Sequence, residues 1–129
     1  MTLRLRPDRH LVGAYNYLCH TEPFWGMRPK LLDADDVSFQ VIRDRRTSGY
    51  FLPPMASIKF PTIAVSSACV GSTNLLMEIM AHEILHMYQW LSKTETSNTE
   101  HNAAFFELSK KVCKAHVFDI KSFAGERGI

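Results

Sequence analysis

An α+β fold is predicted for this chain by three observations. Apolar residues recur at helical spacing near the start, over residues 7–21. Three short segments between residues 37 and 66 carry β-branched and aromatic residues, with turn-forming residues between them. A long apolar stretch from Ser72 or Thr73 to about Leu91 precedes a second helical segment over residues 102–116. The strands are grouped together instead of alternating with helices, which is the α+β order. The expected architecture is an N-terminal helix, a three-stranded sheet, a buried helix, a polar loop and a C-terminal helix.

Each element has a local reason. Pro7 suits the first position of the first helix, and Asp8 complements the positive end of its dipole. Leu11, Tyr15 and Leu18, with Val12 and Cys19, form its apolar stripe. "TEPFWGMRPK" ends it through Pro23, Gly26 and Pro29. "VSFQVIR", residues 37–43, alternates Val37, Phe39 and Val41 with Ser38, Gln40 and Ile42, as a strand does. "DRRTSG" reads as the turn of a hairpin leading to "YFLP", which Pro53 and Pro54 stop. "SIKFPTIAVS", residues 57–66, is the third strand, and Pro61 puts it at a sheet edge or a bulge. Ser72 or Thr73 caps the next helix, whose apolar residues run nearly all the way round, the mark of a buried helix. "SKTETSNTE" is a polar connection. The last helix takes Phe105, Phe106, Leu108, Val112 and Cys113 as core contacts, and "AGERGI" reads as a frayed tail.

The bulk properties narrow the function. The 129 residues, 46% of them hydrophobic, fit one domain with a small core. No run of about 18 apolar residues offers a membrane span. The basic start, "MTLRLRPDRH", is not followed by an apolar signal-peptide core, so a cytoplasmic location is expected, in a cell or an infected host cell. Cys19, Cys69 and Cys113 are odd in number and form no C-x-x-C pair. They read as buried reduced thiols, not as a disulfide framework or a cysteine zinc ribbon. Net charge is +2, with an acidic middle and mildly basic flanks. That balance is compatible with nucleic-acid contact.

The chemistry concentrates in "MEIMAHEILHMYQW", residues 77–90. On a helix, residues i and i+4 share a face, so His82 and His86 can aim two imidazoles at one ion. Glu83 is rotated by about 100° from His82, beside the ion without ligating it, where it can hold a water proton. Two ligands and a base at this spacing make the H-E-x-x-H arrangement of zinc peptidases. Polar residues inside an otherwise apolar helix need a partner or a task.

A catalytic zinc takes three protein ligands. The downstream candidates are Glu95, Glu100, His101, Glu107, His116 and Asp119. His101 is favoured, because it sits where the polar loop meets the last helix and that helix can fold back beside the first histidine pair. Glu107 is the rival and would complete a two-histidine, one-glutamate set. His116 lies at a lysine-rich helix end and reads as a surface residue. His10 and His20 carry no motif. Glu78, one turn before His82, reads as a solvated or hydrogen-bonded carboxylate, with support of a ligand as the alternative.

These residues resemble the SprT-like (Spartan-type) zinc metalloproteases. "HEILH" is followed at that family's spacing by "HNAAF", similar to its histidine-glycine-x-x-phenylalanine element, with Asn102 at the usual glycine. "FWGMRPKLL" is similar to the family's segment between first helix and first strand, "VIRDRRTSGYF" to its strand-turn-strand with a glycine before an aromatic, and "IAVSS" to its third strand. The resemblance covers about residues 8–118 of a single domain over residues 1–129. It implies a zincin-like minimal metalloprotease core. Zn2+ would be held by His82, His86 and His101, with Glu83 as catalytic base. The implied activity is proteolysis of proteins bound or crosslinked to DNA, promoted by DNA. No DNA-binding module follows the domain here, so a compact stand-alone version is expected.

A protein substrate would lie extended along an edge strand beside the zinc, with "SIKFPTIAVS" the favoured edge. Single-stranded DNA is a candidate partner through Arg43, Arg45 and Arg46, with Phe24, Trp25 and Tyr50 nearby in sequence. A solvated turn beside core aromatics is the plainer reading of the same residues. Tyr50 and Tyr88 are available to an oxyanion, and nothing singles out either. Two other functions stay open. One is a non-proteolytic zinc domain that binds DNA or protein, against which Glu83 argues because a structural site needs no base. The other is a peptidase dedicated to one regulator, with no nucleic acid involved.

Overall fold

The computed structural model describes residues 8–56, 58–94 and 101–124. Its elements follow the α+β order. Helix α1 (Arg9–Cys19) and a short α2 (Phe24–Met27) precede strands β1 (Ser38–Ile42), β2 (Gly49–Leu52) and β3 (Thr62–Ser66). Helices α3 (Thr73–Ser92), α4 (Ala103–His116) and α5 (Ile120–Phe123) follow. None of the described helices is long and apolar enough to cross a membrane. The expected tail "AGERGI" and most of the polar connection fall largely outside the described residues.

Asp8 is the N-cap of α1, and its carboxylate accepts from the amides of His10 and Leu11 at 2.9 and 3.1 Å. Leu11, Ala14, Tyr15 and Leu18 then face inward at i, i+3, i+4 and i+7. The Tyr15 hydroxyl donates to the Leu32 carbonyl and its ring meets Phe39 edge-on at 5.2 Å, which docks α1 against β1.

The sheet corrects two expectations. Its strand order is β1-β3-β2, with β1 parallel and β2 antiparallel to β3. The stretch "DRRTSG" therefore does not close a hairpin, because β3 lies between the strands it joins. The backbone of this connection is held by β3 and its end instead. The Ser66 amide donates to the Ser48 carbonyl at 2.7 Å, the Asp44 amide donates to the Ser66 hydroxyl at 3.0 Å, and the Ser67 amide donates to the Ile42 carbonyl at 2.8 Å. The third strand is not an edge either. Thr62, Ile63, Ala64, Val65 and Ser66 are all buried, as in a strand covered on both faces. Pro61 precedes the strand, where its missing N–H removes no ladder bond, and its carbonyl accepts from Ser38 at 2.8 Å. The edges are β1 and β2.

Helix α3 is the buried helix. Ser72 caps it by accepting from the Leu75 amide at 3.1 Å. Most of its residues from Glu78 to Gln89 are buried, and it packs against α1, α4, β2 and β3. Removing Ile79, Met80, Ile84, Leu85 and Met87 from water contributes about 1.5–3 kcal/mol each. Along α4, Phe105, Ser109, Val112 and Cys113 face inward. Phe106, expected in the core, is 41% exposed under the Lys110 ammonium, because it is rotated by about 100° from Phe105.

Both long C-terminal helices stop on a left-handed residue that is not glycine: Lys93 with φ 59° after α3 and Val117 with φ 60° after α4. The amides of Thr94 and Phe118 reach back to the carbonyls of Gln89 and Cys113 at 2.9 and 3.1 Å, the Schellman closure of a helix end. A β-branched residue in this region is strained, and Val117 is 87% exposed with no burial to offset it. Val117→Gly is therefore expected to raise unfolding free energy by about 1 kcal/mol and Lys93→Gly by less, read from denaturant midpoints.

Candidate metal centre

Helix α3 carries His82 and His86 one turn apart, and the residue before the N-cap of α4 is His101. The three Nε2 atoms converge. His82 and His86 are 3.1 Å apart, His86 and His101 3.2 Å, and His82 and His101 3.2 Å. Zn–N bonds of about 2.0–2.1 Å with tetrahedral angles separate ligand nitrogens by about 3.3 Å, so the triangle matches one face of such a site. These three residues could hold a metal ion, and they are the group of that kind among the described residues. His82 is buried, while His86 and His101 are partly open to solvent.

The triangle rests on partners that aim each ring. The Phe123 carbonyl lies 2.7 Å from His82 Nδ1, and a carbonyl only accepts, so Nδ1 carries the proton and Nε2 the lone pair. Phe105 is the floor. It stacks on His86 and His101 at 4.6 and 4.7 Å and meets His82 edge-on at 5.0 Å. Asn102 fixes the chain next to His101. Its Oδ1 accepts from the Phe105 amide at 2.9 Å and from Gln89 Nε2 at 3.0 Å, and its Nδ2 donates to the Thr94 carbonyl at 3.0 Å. A glycine in place of Asn102 would supply none of these bonds.

Glu83 is 2% exposed on α3. Its carboxylate lies against the edge strand: a methyl group built at Gly49 would stand 3.4 Å from Glu83 Oε2, 3.1 Å from Ile79 and 2.5 Å from the Ala64 carbonyl oxygen. Only a residue without a side chain fits here, because a methyl group would collide with the Ala64 carbonyl of β3 and crowd Ile79 of α3.

The other candidates are not brought to the site. Glu107 is exposed on α4 and pairs with Lys110 at 3.1 Å. His116 ends α4, where its Nε2 is 2.9 Å from the Thr21 hydroxyl and its ring stacks on Phe118. Asp119 caps α5, accepting from the Lys121 amide at 3.1 Å. Glu95 and Glu100 lie outside the described residues. Glu78 is buried, not solvated, and burial and then the nearby Asp119 push its carboxyl upward. Arg43, Arg45 and Arg46 are exposed together between β1 and β2. Of the aromatics considered with them, Phe24 is fully buried in the core, and Trp25 has the Arg28 guanidinium 3.6 Å over its ring. Tyr50 in β2 and Tyr88 in α3 are partly buried. Of the thiols expected to be buried, Cys113 is, whereas Cys19 and Cys69 are only partly covered.

Sequence reasoning missed α5 and with it Phe123. A signal was there: Phe118 and Phe123 flank the capping Asp119 at the N′ and N4 positions of a hydrophobic staple, and their rings stack at 5.9 Å. The packing role of Gly49 and the Gln89–Asn102 bond had no comparable local signal.

Burial, then the neighbouring His86, pushes His82 down to about 3, against the opposing pull of the Phe123 carbonyl. Burial, then His101, pushes His86 down to about 4. Both imidazoles are thus neutral near pH 7, as ligands must be. In the unfolded chain they titrate near about 6.5. Between that value and their folded ones the unfolded state binds more protons, so the fold loses stability as pH falls. The melting temperature of the metal-free protein should decline from about pH 6.5 towards about pH 4, and less steeply in a His82→Phe variant. Gly49→Ala should destabilise the fold by about 1–3 kcal/mol in chemical denaturation, because the new methyl meets backbone.

Comparison of the chain with models of protein families, with curated proteins and with solved structures finds no match.

Proposed function

We propose that this chain is a zinc-dependent endopeptidase of the SprT-like type, with a zincin-like core and with DNA-associated or DNA-crosslinked proteins as its substrate class. One observation carries the reading: three converging imidazole Nε2 atoms on elements that also bury a carboxylate, Glu83, against an edge strand. Three imidazole nitrogen ligands suit zinc, and a purely structural site has no use for the carboxylate. Zinc held by His82, His86 and His101 would supply Lewis acidity, acidifying water and polarising a carbonyl.

The chain's own groups do the rest. Glu83 takes the proton of the attacking water and passes it to the leaving amine nitrogen. Its burial, at 2% exposure, limits competition from solvent at its carboxylate. Strand β2 offers its outer backbone groups to an extended substrate segment, which would pair with it alongside Glu83. The Phe51–Trp90 ring pair, 5.9 Å between centroids, stands at the same strand, with Trp90 one turn beyond His86. Arg43, Arg45 and Arg46, exposed on the connection into β2, are the residues proposed to attract single-stranded DNA.

The test is cleavage of a basic DNA-binding protein by wild type and Glu83→Gln, each with and without single-stranded DNA. Wild type should cleave and be accelerated by DNA, and Glu83→Gln should be slower by about 10²–10⁴-fold. Replacing the three arginines with alanine should abolish the DNA effect and leave the basal rate. Cleavage indifferent to DNA would point to a dedicated protein substrate. No cleavage by the zinc-loaded chain would point to a non-proteolytic binding domain.

A further inference from the structure

We infer that α5 is a positioning element for the metal centre: the Phe123 main-chain carbonyl fixes the proton of His82 on Nδ1 and so sets how tightly the three histidines bind metal. The inference rests on the metal-site reading above. It assigns a role to residues beyond position 118, where the resemblance to the protease core ends.

His82 sits in the middle of α3, 2% exposed, and Phe123 O at 2.7 Å is the hydrogen-bond partner of its Nδ1. Two tautomers of the neutral ring compete. With the proton on Nδ1, Nε2 presents a lone pair to the centre of the triangle. With the proton on Nε2, the ring would donate to His86 or His101, whose Nε2 atoms are only 3.1 and 3.2 Å away. That second arrangement closes the site with an internal hydrogen bond and removes one ligand. The carbonyl opposes it, because an acceptor facing a bare Nδ1 would be left without its proton.

The carbonyl is available because α5 is short. Phe123 is its last residue, and the final carbonyls of a helix have no partner within it. The aim of the carbonyl is fixed from several sides. The Phe123 amide donates to Asp119 O and the Ala124 amide to Ile120 O, both at 2.8 Å. The Phe123 side chain is fully buried, 5.5 Å from the His82 ring and stacked on Phe118. The left-handed Val117 turns the chain from α4 into this position. A four-residue helix has little stability of its own, so its docking and the orientation of His82 depend on each other.

Two variants separate the carbonyl from the packing. Ala124→Pro pushes residue 123 out of helical geometry, re-aiming its carbonyl while the Phe123 side chain remains. Phe123→Leu keeps the carbonyl and removes the ring. Zn2+ affinity is measured by competition with a chromophoric chelator, circular dichroism checks the fold, and nitrogen-15 spectra of the imidazoles of the metal-free protein report the tautomer. Ala124→Pro should bind Zn2+ about 10–100-fold more weakly, Phe123→Leu should lose much less, and wild-type His82 should carry its proton on Nδ1. Wild-type-like affinity in Ala124→Pro, an equal loss in both variants, or a wild-type His82 protonated on Nε2 would overturn the inference. Should Ala124→Pro not fold, the wild-type tautomer alone decides. Failure of the wild type to bind Zn2+ would overturn the metal-site reading together with this one.

Discussion

The burial of α3 with polar side chains aboard is the constraint on which the rest of the molecule turns. Its apolar residues hold it between the sheet and α1 and α4. Its polar residues dictate what must come up against it, since each buried polar group left unmatched costs about 1–3 kcal/mol. His82 draws in the Phe123 carbonyl, Gln89 draws in Asn102, and Glu83 lies beside Gly49 of β2. Gln89 Oε1 alone stays buried without a partner among the described residues, because Asn102 needs its own oxygen to cap α4 and so takes the Gln89 amide as donor.

The same constraint gathers the three histidine rings into one cluster. Two of the histidines ride on one helix, and the third is carried to them by a chain that stops α3 on Lys93 and restarts at the Asn102 cap. Phe105 touches all three rings, so the apolar core reaches the base of the site. Burial keeps His82 and His86 neutral. The burial that gathers the triangle also ties the stability of the fold to the protonation of His82 and His86.

Local chemistry was legible in the sequence and long-range pairing was not. Asp8, Ser72 and the apolar stripes identified α1 and α3 because caps and periodicity act within a few residues. The i, i+4 histidines were legible for the same reason as a pair able to face one ion. His101 was legible only as the favoured member of a set, since bringing it to the pair depends on how α4 folds back. The edge expected for residues 57–66 from Pro61 does not hold, because Pro61 precedes the strand and Thr62–Ser66 are buried throughout. Whether β3 inserts between β1 and β2 is settled by tertiary packing that no window of residues contains. Phe106 failed for a smaller reason: two adjacent phenylalanines on a helix cannot face the same way, and Ser109 shows which one faces in, its hydroxyl donating to the Phe105 carbonyl at 2.8 Å.

The position of β2 has a consequence for how the protein behaves towards copies of itself. Among the described residues no strand pairs with the outer side of β2, and an unpaired strand edge is a template for any extended chain, including the edge of a second molecule, and can seed aggregation. Pro53 and Pro54 follow directly on Leu52, so the ladder can be extended by only the four residues Gly49–Leu52. That is about 13 Å of strand. It is enough to align a guest segment for a few hydrogen bonds and too little to sustain a sheet running from molecule to molecule. The two prolines therefore act as a gatekeeper that limits how far this edge can be extended.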